Sequence, residues 1–237
     1  MDDALTTGRL LARRRALAML GASGAALLAA RHGAAATADL PACVVRPRQT
    51  EGPFFVERDL ERSDLRIDPS TGAVKAGVPL RLAFRVSRVG ASACAPLAGA
   101  EVHIWHCDAA GDYSSVRDTR APKAGDAFLR GFQKTDAAGT ARFLTIYPGW
   151  YPGRAVHVHF KVRTADTPRS AEFTSQLYFD DALSERVYAT APYASRGRPK
   201  LANGDDFLFR DGGRQLLLDV TPGAAGYAAV FDIGLQT

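Results

Sequence analysis

The sequence predicts an all-β protein: an antiparallel β-sandwich of short strands, with long loops and little helix. Three observations carry this. Apolar and polar residues alternate along "PLRLAFRVSRV" at 79–89, the period of a strand with one wet face. Further short apolar runs are bounded by Gly, Pro and Asp. After residue 38 no amphipathic pattern exceeds two or three helical turns.

The elements follow in order. Residues 39–76 carry Pro41, Pro47, Pro53 and Pro69, and their apolar positions fit neither the helical nor the strand period. An ordered N-terminal arm is expected there, bordering a sandwich domain over 77–237. The first strand leads to "CAPLAGAEVHIWHCD" at 94–108, a Pro/Gly turn followed by a strand. "ARFLTIYP" at 141–148, "AVHVHFKVRT" at 155–164 and "FTSQLYF" at 173–179 read as further strands, and "DDALSERVYA" at 180–189 as a short helix. Residues 207–235 read as a hairpin and a closing strand.

Residues 1–38 read as an export signal. Arg13, Arg14 and Arg15 precede "ALAMLGASGAALLAA", a stretch too short and too rich in Ala and Gly for a membrane span. Ala36-Thr37-Ala38 offers a cleavage site. Arg14, Arg15, Ala16 and Leu17 resemble a twin-arginine signal, a route that exports folded proteins, and an ordinary secretory signal is the alternative. A periplasmic or secreted location is expected. The net charge of +5 draws on Arg9, Arg13, Arg14, Arg15 and Arg31 in this segment. The rest has no Lys/Arg run, so no nucleic-acid partner is expected.

The three cysteines, Cys43, Cys94 and Cys107, allow one disulfide in an oxidising compartment. An extended strand over 100–107, at about 3.3 Å per residue, would carry Cys107 away from Cys94. This favours Cys43–Cys94. No cysteine pair has zinc-finger spacing.

The chemistry concentrates in "YPGWYPGRAVHVHF" at 147–160. It holds two of the chain's five histidines. His157 and His159 stand at i and i+2 on a strand pattern, so they share a face and can clamp one ion, while Val156, Val158 and Phe160 face the core. Tyr147 and Tyr151 precede them, and Tyr113 ends "WHCDAAGDY". A phenol of pKa about 10 is a poor ligand for a weakly acidic divalent ion. A hard trivalent ion such as Fe(III) can strip its proton. Zn(II) held by His157, His159 and His103 or His106 is the competing reading.

These residues match a known family. The chain resembles the intradiol ring-cleavage dioxygenases, above all the protocatechuate 3,4-dioxygenase-like branch. The resemblance runs through "QTEGPFF" at 49–55, "PLAGAEVHIWHCDAAGDYS" at 96–114, "FLRGFQKTDAAGTARFLTIYPGWYPGR" at 128–154, "HVHF" at 157–160 and "SQLYFDD" at 175–181. It implies one Fe(III) per chain, held by Tyr113, Tyr151, His157 and His159. Tyr147 lies too early to be the second tyrosine. The resemblance also implies that Tyr151 is displaced when a catechol binds and can take up a proton, that Arg154 stabilises negative charge on the substrate ring, and that Gln176 lies near the oxygen side. Gly52, Pro53 and Phe54 are implied to border the substrate pocket. The partners implied are a small-molecule catechol and O2, and the product a cis,cis-muconate-type diacid. Only five residues separate Tyr151 from His157, a shorter connection than in better-known members, which leaves the particular catechol open. The helical dimerisation region of the catechol 1,2-dioxygenase branch is missing from the pattern, so a helix-linked dimer is not expected, although another oligomer is possible. A rival reading rests on "CAPLAGAEVHIW", which also resembles prealbumin-like β-sandwich modules that bind partners without a metal.

Overall fold

The computed structural model describes residues 44–90, 93–115, 126–164 and 171–236. The expected export signal and Cys43 lie outside them. Two sheets form the sandwich. In the first, β1 (Pro79–Val89) pairs on one side with β2 (Cys94–Pro96) and β5 (Thr140–Ile146), and on the other with β9 (Gly226–Leu235), which in turn pairs with β8 (Val220–Gly223). The second runs β4 (Arg130–Lys134), β3 (Glu101–Trp105), β6 (His157–Arg163), β7 (Glu172–Tyr178). The antiparallel sandwich is therefore present, with one parallel pairing, β1 with β9. These two strands lie at opposite ends of the domain's sequence, so no tight turn dictates their relative direction.

The alternation seen in the sequence does the expected work. Leu80, Leu82, Phe84 and Val86 on β1 are buried, as are Val158, Phe160 and Val162 on β6. The two sheets meet through aromatic rings. Phe84 and Phe160 have centroids 5.3 Å apart, and Phe160 and Phe231 5.4 Å. Such pairs add directional packing to simple burial.

Two short α-helices are present among the described residues, besides three single-turn 3₁₀ segments. α1 (Asp181–Tyr188) falls where a short helix is expected, and the Asp180 carboxylate caps it by accepting from the Leu183 amide. α2 (Phe207–Arg210) replaces the first part of the expected hairpin. Asp206 accepts from the amides of Leu208 and Phe209, which turns "FLFR" into one helical turn, and the hairpin begins only at β8. Cys94 is disulfide-bonded, whereas Cys107 is a buried free thiol.

The arm makes isolated bridges only. The Gln49 amide donates to Thr174 on β7, at one edge of the second sheet. Glu61 bridges to Phe132 on β4, at the other edge, and the Leu65 amide donates to Leu144 on β5. The arm thus crosses the outward face of the second sheet and docks Leu65, fully buried, beyond it. Ion pairs from Lys161 to Glu51 and from Arg163 to Glu57, the latter with both contacts at 2.7 Å, hold it down. The arm thereby takes up part of the edge hydrogen bonding of both β4 and β7.

The inter-sheet ring cluster predicts a specific cost. Phe84→Ala removes its central ring, and stability should fall by about 3–5 kcal/mol. Urea unfolding checks this, and an unchanged midpoint would show that these rings do not hold the sheets together.

Candidate active site

The site is built on one row across the second sheet. Arg130, Trp105, His159 and Gln176 are register partners on four neighbouring strands. Directly opposed residues in a sheet point to the same face. That face is the outward one, because Ile104, Val158, Phe160 and Leu177 take the core side. His157 and Tyr178 form the next row on the same face. Trp105 lies flat against His159, with rings 5° from parallel and centroids 5.1 Å apart, which sets the plane of the imidazole.

The arm roofs this row. Gly52 has φ +71°, a conformation favoured by glycine, and a β-carbon there would stand 3.2 Å from His159 Cε1. Phe54 stacks on Tyr113 at 4.2 Å between centroids and meets Tyr151 edge-on at 5.6 Å. Phe55 meets Trp105 edge-on. Pro53 is exposed between them.

Under this roof the expected donors converge. His157 Nε2 lies 3.0 Å from His159 Nε2 and 3.1 Å from the Tyr151 hydroxyl. His157 Nδ1 lies 2.7 Å from the Ala155 carbonyl, so Nδ1–H donates there and the Nε2 lone pair points into the site. The Tyr113 hydroxyl is buried beside Tyr151 and makes no hydrogen bond, and His159 Nδ1 is likewise without a partner. Burial holds His157 neutral, its pKa pushed down to about 3, and moves His159 the same way. Burial also raises both tyrosines above the ordinary phenol range. Neutral imidazoles are ready to ligate. The phenols are reluctant to ionise without a cation, and an unpartnered buried hydroxyl is costly as it stands. Two imidazoles and two phenols, with no thiolate or carboxylate, form a donor set suited to a hard trivalent ion.

Arg154 stands at the other side of Tyr151. Its Nε donates to Asp206 Oδ2 at 2.9 Å, and its Nη2 to Gln176 Oε1 at 2.6 Å and the Tyr178 hydroxyl at 3.2 Å. Gln176 Nε2 donates to Thr50 O, and the Tyr178 hydroxyl to Gln49 Oε1. The cation is therefore fixed and linked to the arm. Asp206, fully buried, also accepts from the Ala155 amide at 2.7 Å.

The structure thus brings together Tyr113, Tyr151, His157, His159, Arg154, Gln176, Gly52 and Phe54. The histidines of the zinc reading do not join them. His106 uses both ring nitrogens, on Thr145 Oγ1 and the Cys107 carbonyl, while His103 pairs with Glu101 and stacks on Phe132. Among the described residues no three His, Cys, Asp or Glu side chains gather as a metal group. Tyr147 is a core residue bonded to Ser184. Sequence reasoning missed Trp105, Arg130 and Asp206. The strand "EVHIW" carried a signal for Trp105, at the same alternation as His103. Nothing in the sequence flags Asp206, which reaches the site from 52 residues beyond Arg154.

Comparison with known proteins agrees with this architecture. A family model described as "Dioxygenase" matches residues 50–207. The protocatechuate 3,4-dioxygenase beta chain of Burkholderia cepacia is 32% identical over 165 residues, 65% of this chain and 68% of that one. An intradiol ring-cleavage dioxygenase from Tetranychus urticae superposes with a TM-score of 0.70 at 28% identity, covering 82% of this chain and 95% of that one. The dioxygenase domain of a dioxygenase–carbohydrate-binding protein fusion from the cellulolytic bacterium Streptomyces sp. SirexAA-E does so with 0.56 at 30% identity, covering 82% and 99%. With more than half of its length matched by the family model and its sandwich shared with solved enzymes of the same kind, the chain belongs to the intradiol ring-cleavage dioxygenase family.

Proposed function

We propose that the chain is an exported, non-haem Fe(III) enzyme that inserts both atoms of O2 into a catecholic ring and yields a cis,cis-muconate-type diacid. One observation carries this: the Nε2 atoms of His157 and His159 and the Tyr151 hydroxyl converge at 3.0–3.1 Å, beside the unpartnered hydroxyl of Tyr113. Tyr113, Tyr151, His157 and His159 would hold the ion. When bound, it supplies Lewis acidity, which withdraws electron density from a chelated catecholate.

The chain's own residues do the remaining work. The Ala155 carbonyl fixes the His157 tautomer and Trp105 the plane of His159, and the two Nε2 atoms face each other at 3.0 Å. Phe54 and Gly52 close the site from the arm and keep water out. Tyr151 is half-buried, whereas Tyr113 is buried. The Tyr151 oxygen is thus the one that an incoming catechol can reach, and as the phenolate that the ion would hold it could take up one of the protons the catechol sheds. Arg154 is already held by Asp206, Gln176 and Tyr178, so its charge needs no rearrangement to face negative charge developing on the ring. Gln176 fixes that guanidinium and ties it to Thr50 in the arm. The Arg-Arg-Ala-Leu motif and apolar segment before residue 39 support export of the folded protein, to the periplasm or beyond.

Two outcomes test the reading. Iron-loaded protein should bind about one ion per chain and show a visible tyrosinate-to-iron band, lost or strongly shifted in Tyr151→Phe and His159→Ala. Oxygen uptake against a panel of catechols should match ring cleavage between the two hydroxyls. A colourless iron-loaded protein, or an extradiol product, would overturn it. Arg154→Ala should lower kcat by roughly 10²–10³-fold, the usual scale for losing one preorganised charge-stabilising group. Steady-state kinetics that matched the parent would remove Arg154 from the reaction.

A further inference from the structure

The row that carries His159 ends, on the side opposite Gln176, in Arg130, which the reading above does not use. Its side chain is 4% exposed. A buried guanidinium ordinarily pairs with a carboxylate, because taking a lone cation out of water is costly. No carboxylate among the described residues pairs with this one. Its hydrogen bonds go to neutral acceptors: Ser114 Oγ at 2.9 Å, Ser114 O and Phe54 O at 3.2 Å.

The choice of acceptors is informative. Ser114 follows Tyr113 directly, and Phe54 is the residue whose ring lies on Tyr113 at 4.2 Å and 17°. One rigid planar group therefore grips both segments that bracket this phenol. The Tyr113 hydroxyl has no hydrogen bond of its own to orient it. The Tyr113 ring also packs against Trp105, Cys107 and Tyr151, but its backbone and the ring stacked flat on it are the two supports that Arg130 holds. Arg130 is itself anchored: it is the register partner of Trp105, and its carbonyl accepts from Arg62 of the arm.

We infer that Arg130 is the positioning residue for Tyr113: it fixes the phenol and its Phe54 cover in the geometry needed for ligation, and leaves Tyr151 free of such a clamp. The inference deepens the proposed function, because it rests on Tyr113 being a ligand, but its first test does not require iron.

The metal-free full chain is treated with tetranitromethane and nitration is mapped residue by residue, with the parent, Arg130→Gln, Arg130→Lys and Ser114→Ala compared. Tyr147 and Tyr193, fully buried elsewhere, serve as internal controls. Nitration of Tyr113 should rise by roughly tenfold in Arg130→Gln, less in Arg130→Lys, which keeps the charge and some of the bonds, and least in Ser114→Ala, as local opening at Tyr113 alone requires. The controls should not change. Unchanged Tyr113 protection would overturn the inference, and so would an equal rise at Tyr147 and Tyr193, which marks a general structural role. If Arg130→Gln does not fold, Arg130→Lys and Ser114→Ala decide by the same criteria. In the iron-loaded protein, Arg130→Gln should keep bound iron yet shift the visible band. A parent without iron or colour would sink the proposed function while leaving the nitration result to judge Arg130.

Discussion

Everything in the site depends on the register of β6. Side chains alternate between the faces of a strand, so Val158, Phe160 and Val162 cannot be buried in the core without sending His157, His159 and Lys161 outward. A slip of one residue would put two imidazoles between the sheets and three apolar side chains under the arm. Phe160, wedged against Phe84 and Phe231, makes that slip prohibitive. The hydrophobic core therefore positions the polar site, and the same seven-residue strand serves both.

Pointing outward would normally mean facing water. The arm changes that. By covering the second sheet it leaves His157 and His159 nearly as buried as the core, which keeps both neutral, and raises both phenols. Charges in this region survive because they are arranged in advance. Arg154 meets Asp206, and Lys161 lies between Glu51 and Glu172 over the Phe55 ring. Arg130 is the exception, with neutral acceptors only, and burial lowers its pKa to about 10. A site of this kind gains strength from low dielectric, since each fixed charge acts further than it would in water.

How much of this was legible follows from the range over which each signal acts. Strands β1, β5, β6 and β7 are written in local alternation, the His157/His159 pair in local spacing, and Tyr113, Tyr147 and Tyr151 as nearby candidate donors. Arg154, and the choice of Tyr113 and Tyr151 over Tyr147, came through resemblance to a family. β4 was not visible as a strand. "RGFQK" is short and carries Gly131 as its second residue, where the arm approaches so closely that a β-carbon would meet Leu65 at 2.9 Å. Its strand character comes from pairing with β3 and from the arm, neither of which is local. The helical turn at Phe207–Arg210 was hidden for a similar reason: its apolar residues suit a strand, and the Asp206 cap overrides that preference. Trp105, Arg130 and Asp206 act across strands or across long stretches of chain, where a single sequence carries little trace of who faces whom.

The two tyrosines show what this arrangement permits. Tyr113 is buried, stacked on Phe54 and bracketed by the groups that Arg130 holds. Tyr151 is half-exposed, follows a Pro/Gly-rich stretch and precedes a turn at Pro152 and Gly153, with Gly153 at φ +87°. Its side chain makes a single hydrogen bond, to His157. Moving Tyr113 would break the Phe54 stack and disturb three guanidinium bonds. Moving Tyr151 would break one hydrogen bond and its edge-on contacts with Phe54, Tyr113 and His157, without disturbing a guanidinium clamp. Under the proposed function, a ligand that yields its place to an incoming catechol would need the second kind of environment, and a ligand that stays would need the first. The short connection between Tyr151 and His157 fits this division, since a tight glycine-containing turn can swing the phenol without dragging β6 with it. The two phenols thus differ in how firmly the protein holds them, with Arg130 on one flank and the Gly153 turn on the other, and under the proposed function that difference would divide the fixed role from the yielding one.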